Sequence, residues 1–295
     1  MTGEQSFPHP IFVGGSARSG THALGRLVGA HPRYAQIEVE ARFHSATGGL
    51  CDLLNGRTDL DGFTTRCLGM WWRRGLRQHR GLQVIIGREE LEAALKMFGI
   101  RFREDPWEAG RRLVRAVLDP SAERAGRPAW VDLSGSNIKN APTLAKLFPR
   151  AKFVHMVRDG RAVTAAILRK RDMTDDLHQA LGHWETRIRR SHAGLRELPP
   201  GSVLTILLDD LTAHDRERTY GRLVEFLELE DDGPMRRYFD RSISADRAHV
   251  GRWRQRIAPA DARWVDRRYR RLVRKLRREG IDWLPEPGDS GRSRR

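Results

Sequence analysis

The stretch PIFVGGSARSGTHALGRLV, residues 10–28, decides the fold because it joins three local patterns in one unit. Pro10 to Val13 are apolar and lead into two glycines, which predicts a buried strand that enters a tight loop. The apolar residues between Ala23 and Val28 recur at helical spacing, and His31-Pro32 predicts the end of that helix. The sequence therefore predicts a strand, a glycine-rich loop and a helix in immediate succession.

Further strand and helix patterns alternate along the rest of the chain. We predict strands over Ala129–Leu133, Ala151–Val157 and Ser202–Leu208, and helices over Glu89–Phe98, Asp105 to about Leu118, Asn140–Phe148, Asp175–Leu198, Asp215–Leu229 and Pro259–Arg278. Such alternation is typical of α/β proteins. The pattern predicts three layers, in which helices flank a mainly parallel central sheet.

Composition sets limits on the class of protein. The 295 residues are 39% hydrophobic, which is enough for one large core, and the formal net charge is +16, which attracts anions. We find no stretch of 18 apolar residues and no secretory signal, and the two cysteines, Cys51 and Cys67, lack metal-ligand spacing. We therefore expect a cytoplasmic protein without a transmembrane segment and without a metal. The residues from Pro285 to Arg295 predict a disordered tail.

The glycine-rich loop over residues 14–21 has the features of an anion-binding site. A loop between a strand and a helix directs backbone N–H groups at one point, and the helix N-terminus adds positive potential. Gly15 and Gly20 have the spacing of a nucleotide-binding Walker loop, but Thr21 follows Gly20 with no lysine between them. A nucleotide kinase or hydrolase of the P-loop type is therefore an alternative that the sequence disfavours.

The same loop, together with the helix ending in Ala30-His31-Pro32, resembles the 5′-phosphosulfate-binding loop of sulfotransferases that use 3′-phosphoadenosine-5′-phosphosulfate (PAPS). The arginine inside the loop is similar to the bacterial and Golgi-type branch, which includes the protein-tyrosine sulfotransferases. The resemblance implies a P-loop-like fold, one sulfotransferase domain over residues 1–284, and PAPS as the donor. It implies donor contacts from the residues of this loop, namely Gly15, Ser16, Ala17, Arg18, Ser19, Gly20, Thr21 and His22.

Two later segments resemble the rest of the donor site of that family. Arg158 follows a predicted buried strand, and the resemblance implies that it binds the 3′-phosphate. The family usually has a serine eight residues later, where this chain has Ala166. Near the C-terminus, the family's Gly-x-Trp loop is matched by Gly251, Arg252 and Trp253, with Arg247 as a further candidate cation.

The acceptor hydroxyl needs a base, and Glu40 is the best candidate for that role. Glu40-Ala41-Arg42-Phe43 is similar to the segment that carries the base in Golgi-type and bacterial enzymes. Glu38 is the rival because it would share a strand face with Glu40, and His44 and His22 are weaker candidates. The resemblance implies that Arg18 stabilises charge on the transferred group.

The acceptor itself stays open in the sequence. Residues 44–128 match no known pattern and are the predicted acceptor-binding variable region. We expect a small-molecule or carbohydrate acceptor, with a tyrosyl peptide as another possibility, and the oligomeric state is unknown. A basic nucleic-acid-binding protein is the second alternative, since the charge is high, but no recognised nucleic-acid motif or aromatic platform appears, so we expect no specific nucleic acid as a partner.

Overall fold

A single parallel sheet forms the centre of the protein. The computed structural model describes residues 9–73, 81–171, 173–231 and 233–288, and within them the strands are β1 (Ile11–Gly15), β2 (Tyr34–Gln36), β3 (Ala129–Asp132), β4 (Lys152–Val157) and β5 (Val203–Leu207). Their order is β2-β3-β1-β4-β5, and every neighbouring pair is parallel. The predicted parallel α/β architecture is confirmed.

The described chain contains twelve α-helices, most of which connect the strands. They are α1 (Thr21–Gly29), α2 (Leu50–Leu54), α3 (Leu60–Leu68), α4 (Arg88–Phe102), α5 (Pro106–Arg124), α6 (Ala141–Leu147), α7 (Gly160–Lys170), α8 (Leu177–Leu195), α9 (Arg216–Phe226), α10 (Gly233–Ser242), α11 (Ala245–Ala248) and α12 (Pro259–Arg278). A π-helical turn spans Asp210–His214, and a 3-10 turn spans Arg252–Arg256.

Both faces of the sheet are buried because alternate strand residues pack into different cores. On β1, Ile11 and Val13 face the core formed with α1, α9 and α10. Phe12 points to the opposite core, which is formed with α2 to α6. There it stacks on Phe153 of β4 at a centroid distance of 5.6 Å and meets the edge of Trp130 of β3 at 5.3 Å. A third cluster joins α7, α8 and α12.

Several predicted boundaries differ from the structure. Helix α5 begins as predicted, because the Asp105 side chain accepts hydrogen bonds from the amides of Trp107 and Glu108. It continues six residues beyond the predicted end at Leu118, through Pro120. Strand β2 was not predicted, since three residues are too few for a recognisable alternation.

The predicted variable region and the predicted tail are both partly described by the structure. The described part of residues 44–128 contains α2 to α5, and the acceptor-binding role of this region stays a prediction. Of the predicted disordered tail, residues 285–288 make contacts, because Glu286 accepts hydrogen bonds from Arg277 and the Gly288 carbonyl accepts one from Arg161. Residues 289–295 lie outside the described part. No helix among the described residues combines the length and apolar character needed to span a membrane.

Candidate active site

The loop between β1 and α1 has a backbone path that only glycine allows at one key position. Gly15 has a φ of 151°, and a Cβ there would lie 2.1 Å from the Met156 carbonyl oxygen of β4. Real Cβ atoms do not approach an oxygen so closely, so a side chain at this position would push the loop off the sheet. Gly20, at the N-terminus of α1, has a φ of 94° and packs against Leu208. The two predicted loop glycines are therefore steric requirements of the turn.

Internal hydrogen bonds hold the loop and leave some of its polar groups without partners. Ser19 Oγ donates to the Ser16 carbonyl at 2.7 Å, and the Gly15 amide donates to the Gly135 carbonyl at 3.2 Å. Ser16 Oγ is buried and has no hydrogen-bond partner among the described residues. Gly20 caps α1 without a side-chain hydrogen bond. An anion placed here would meet a free hydroxyl and the uncapped end of a helix.

Arg158 joins the three motifs that the sequence separates. It follows β4, which pairs directly with β1, so it lies beside the loop. Its Nη1 donates to the Arg18 carbonyl at 3.0 Å, and its Nη2 donates to the Ala248 carbonyl at 2.5 Å. The side chain is largely buried, and its Nε has no partner within the described chain. One guanidinium therefore joins the first loop to the C-terminal segment, and its buried Nε makes no hydrogen bond within the described chain.

A group of cations surrounds this junction, and the sequence analysis missed two of them, Arg169 and Arg256. Burial, followed by the charges of Arg256, Arg158, Arg169 and Arg252, lowers the pKa of His249. Burial, followed by the charges of Arg169 and Arg252, lowers the pKa of Arg256. Arg169 lies one helical turn after Ala166 on α7. The side chains thus concentrate positive charge where the family's serine is missing.

The remaining predicted donor residues occupy different positions at this end. Arg252 is exposed and ion-paired with Asp246, and Arg247 is exposed on α11. Gly251 has a φ of 73° and turns the chain into the 3-10 turn that carries Trp253. Their contacts with a donor stay predictions.

Trp253 is buried against Arg161, a residue that the sequence analysis did not single out. The Arg161 guanidinium lies 5.1 Å from the ring centroid of Trp253 and 4.9 Å from that of Tyr269. It also donates to both carboxylate oxygens of Asp159 and contacts Asp266 on α12. This fully buried cation fixes the turn that presents Arg158 to the C-terminal segment, so Trp253 acts here by packing.

Glu40 lies beside the loop over residues 14–21 and contacts the side chains of Arg42 and His22. Arg42 Nε donates to Glu40 Oε2 at 2.8 Å, and His22 Nε2 lies 3.4 Å from Glu40 Oε1. Burial acts against ionisation, but the hydrogen bonds and charges of His22 and Arg42 outweigh it and lower the pKa of Glu40 to about 2. The carboxylate is therefore ionised at neutral pH and sits within reach of the first turn of α1.

Glu38 and Glu40 do not lie on a strand, because β2 ends at Gln36 and the chain bends at residues 38 and 39. The buried Ile37, Val39 and Ala41 nevertheless alternate with the two glutamates. Glu38 is exposed, whereas Glu40 is partly buried between α1 and Arg42. His44 is fully buried and contacts Asp132, so it faces the protein interior and not the loop surface. Among the sequence candidates for a base, the structure thus brings Glu40 and His22 together beside the loop.

The surroundings of Glu40 are cationic on the side of α8. Burial, followed by the charges of Arg190 and Arg42, lowers the pKa of Arg187, which is also coupled to Glu40. A narrow cavity reaches from Ser16 and Ala17 to Arg187 along apolar side chains of α7 and α8. Across residues 9–73, 81–171, 173–231 and 233–288, no three His, Cys, Asp or Glu side chains form a group that could hold a metal ion.

Comparison of the sequence with known proteins identifies a family and several curated relatives. The sequence matches the model of the sulfotransferase family over residues 10–233. It is 25% identical over 228 residues to protein-tyrosine sulfotransferase A of Caenorhabditis elegans, covering 75% of this chain and 50% of the relative. It is 24% identical over 225 residues to a protein-tyrosine sulfotransferase of Drosophila melanogaster, covering 74% and 38%. The chain thus spans about half or less of the length of these curated relatives.

Two solved structures show the same fold at low identity. The sulfotransferase domain from the Synechococcus PCC 7002 olefin synthase superimposes with a TM-score of 0.54 at 19% identity, covering 94% of this chain and 98% of that domain. The sulfotransferase domain from the curacin biosynthetic pathway gives 0.53 at 14% identity, covering 92% and 98%. The family model runs from β1 to the first residue of α10 and so includes the loop, Glu40 and Arg158, and on this evidence the chain belongs to the sulfotransferase family.

Proposed function

We propose that this protein transfers a sulfuryl group from PAPS to a hydroxyl of its acceptor, with Glu40 as the base. The observation that carries the proposal is the junction at Arg158, which links the loop over residues 14–21 to the C-terminal segment through two main-chain carbonyls. A ligand with separated anionic groups, such as PAPS, fits two such corners on adjacent parallel strands.

The polar atoms at the site fit the two anionic ends of the donor. The 5′-phosphosulfate would lie against the loop, where Ser16 Oγ and the N-terminus of α1 have groups to donate. The 3′-phosphate would lie against Arg158 Nε, which is buried and otherwise unpartnered in the described chain. Arg169 and Arg256 would supply the positive charge that replaces the serine at Ala166.

The reaction would be an in-line displacement at sulfur. The acceptor oxygen forms a bond to sulfur while the bond from sulfur to the 5′-phosphate oxygen breaks, and the hydroxyl proton passes to Glu40. Arg18 would stabilise the charge on the transferred group and on the departing oxygen. With a pKa of about 2, Glu40 is a weak base while Arg42 and His22 hold it. An acceptor hydroxyl that displaces either contact would make the carboxylate a stronger one.

The comparisons suggest which classes of acceptor to screen. The curated relatives are protein-tyrosine sulfotransferases, so a tyrosyl peptide belongs in the acceptor screen beside small phenols and carbohydrates. We expect the acceptor contacts in residues 44–128, the segment that contains helices α2 to α5.

The donor assignment is tested by calorimetric titration with the product, 3′-phosphoadenosine-5′-phosphate (PAP). We expect PAP to bind, and ATP with Mg²⁺ to bind far more weakly, because the loop lacks the Walker lysine. Arg256→Ala should weaken the binding of PAP but leave the affinity for adenosine 5′-phosphate unchanged, since that nucleotide lacks the 3′-phosphate. A preference for ATP with Mg²⁺ would refute the donor assignment and favour a P-loop kinase or hydrolase.

A further inference from the structure

Polar contacts fasten the segment that carries Glu40 to the residues that follow β3. The Arg42 amide donates to Ser134 Oγ at 3.2 Å, Ser45 Oγ and Ser136 Oγ lie 2.9 Å apart, and Asn140 Nδ2 donates to the Ser45 carbonyl at 2.5 Å. Arg42 has a φ of 59°, in the left-handed region that a residue with a side chain enters only at a cost. The contacts with Ser134 and its neighbours therefore hold a strained turn two residues from the base.

A buried carboxylate organises the residues beneath this turn. Asp132 is fully buried at the end of β3, and its Oδ2 accepts hydrogen bonds from the Ser134 amide at 3.1 Å and from Asn137 Nδ2 at 2.7 Å. Its Oδ1 accepts one from Ser134 Oγ at 3.2 Å. His44 Nε2 lies 3.1 Å from Asp132 Oδ2 and 2.9 Å from Asn137 Oδ1, both acceptors, so this nitrogen carries the proton.

The same network reaches the donor side of the site. Asn137 Nδ2 also donates to the Val13 carbonyl at 3.0 Å, one residue before the glycines of the loop. Val13 and Asp132 belong to neighbouring parallel strands, so the network spans the carboxyl edge of the sheet. A buried carboxylate with its donors is costly to rearrange, since removal of one partner leaves an unpaired polar group. The network therefore fixes the distance between the loop and the turn at Arg42.

We propose that Asp132, Ser134 and His44 are positioning residues that hold Glu40 at a fixed position relative to the donor loop. They act through the turn at Arg42, whose side chain in turn binds the Glu40 carboxylate. Asp132 is the last residue of β3, and Ser134 follows two residues later. This inference rests on the proposed role of Glu40 as the base.

Ser134→Ala is the decisive variant because it removes one hydroxyl and leaves the buried charge in place. It takes away the acceptor of the Arg42 amide, so the strained turn should open more often. Hydrogen exchange, measured with and without PAP, should then accelerate in a peptide over residues 41–46 and stay unchanged over residues 14–22. Thr143→Ala is the matched control, since this buried hydroxyl accepts a hydrogen bond from Asn55 Nδ2, which lies outside residues 41–46. It should leave exchange over residues 41–46 unchanged.

Kinetics separate a positioning role from a purely structural one. With N-acetyltyrosinamide as the acceptor, whose phenol has a pKa of about 10 and so needs a base, Ser134→Ala should lower kcat by about tenfold to a hundredfold. The KM for PAPS should stay within about twofold, because the loop is intact. His44→Gln, which keeps an N–H for Asp132, should retain more of the rate than His44→Leu. In a Glu40→Gln background, Ser134→Ala should cost nothing further.

Each outcome bears on the inference separately from the donor assignment. Unchanged exchange over residues 41–46 in Ser134→Ala would overturn the positioning role, even in a protein that turns over no acceptor. A full additional loss of rate in the Glu40→Gln background would also overturn it, because the residues would then act independently of Glu40. If PAP fails to bind while Ser134→Ala still loosens the turn, the proposed function fails and the mechanical link between Ser134 and the turn stands.

Discussion

Arg158→Ala should weaken both the fold and the donor site, because one side chain fastens both. The guanidinium donates to the Arg18 carbonyl at 3.0 Å and to the Ala248 carbonyl at 2.5 Å. Hydrogen bonds from a charged group contribute about 1.5–3 kcal/mol each. Since the burial of Arg158 offsets part of this gain, as the lowered pKa of its guanidinium shows, we expect a net loss of about 3 kcal/mol.

Thermal unfolding with and without PAP measures both effects in one assay. For a domain of this length, about 3 kcal/mol corresponds to a fall in Tm of about 6 °C. We expect the affinity for PAP to fall by about a hundredfold, since a buried charge-assisted contact is lost. At a PAP concentration of about 100 times the wild-type Kd, the ligand should stabilise the wild type by about 2.7 kcal/mol and the variant by about 0.4 kcal/mol.

Arg158→Lys is the matched variant for the same assay. The ammonium keeps the charge but not the two-pronged geometry that reaches both carbonyls. The Tm and the PAP affinity of Arg158→Lys should therefore lie between those of the wild type and Arg158→Ala. Equal Tm values and equal shifts with PAP for all three proteins would refute the view that Arg158 joins the loops and contacts the donor.

Three further changes test separate parts of the structure. Gly15→Ala should abolish PAP binding in calorimetry and lower the Tm, because its Cβ would lie 2.1 Å from a carbonyl oxygen. The control Gly126→Ala, at a φ of 63° with no atom within 4 Å of the added Cβ, should cost only about 1 kcal/mol of stability and leave PAP binding intact. Equal behaviour of the two variants would contradict the steric argument. Burial, followed by the charge of Asp159, raises the pKa of Asp209 from 3.8 to about 6, so the folded protein binds a proton more tightly and its stability falls as pH rises through that window. Asp209→Asn should thus stabilise the protein by up to about 3 kcal/mol at pH 7.5, seen as a higher Tm, and leave the Tm unchanged near pH 3.5. A lower Tm at pH 7.5 would contradict the inferred effect of the Asp209 charge. Arg161→Met should cost about 3–5 kcal/mol in urea unfolding, because it leaves the buried Asp159 carboxylate without its ion pair, and a loss below about 1 kcal/mol would show that the pairing is not essential.

The parts of the site that the sequence predicts are those set by short-range patterns. The strand and glycines around residues 11–20 specify their loop locally, because each glycine answers a backbone requirement within the turn. Arg158 follows directly from a strand of five buried residues, and parallel pairing brings it to the same edge of the sheet as the loop. The overall α/β architecture follows for the same reason, since alternation of strands and helices is visible at this scale.

The parts that were missed depend on contacts between distant segments. Arg161, Arg169 and Arg256 are three among 54 lysines and arginines, and nothing local distinguishes a buried or clustered arginine from a solvated one. The network at Asp132 joins residues that lie more than 80 positions apart, so no spacing rule finds it. Glu38 and Glu40 were placed on one strand because the sequence gives no sign that β2 ends at Gln36.

The partners of Arg158 are main-chain carbonyls, and this has a consequence for how the family can diverge. A carbonyl is present whatever side chain the residue carries, so the junction at residues 18 and 248 tolerates replacement of the residue at 248 without loss of its acceptor. Selection on this contact acts on the path of the backbone and leaves little trace in residue identity. The carbonyl at residue 248 lies beyond residue 233, where the match to the family model ends, so this contact is visible only in the folded structure.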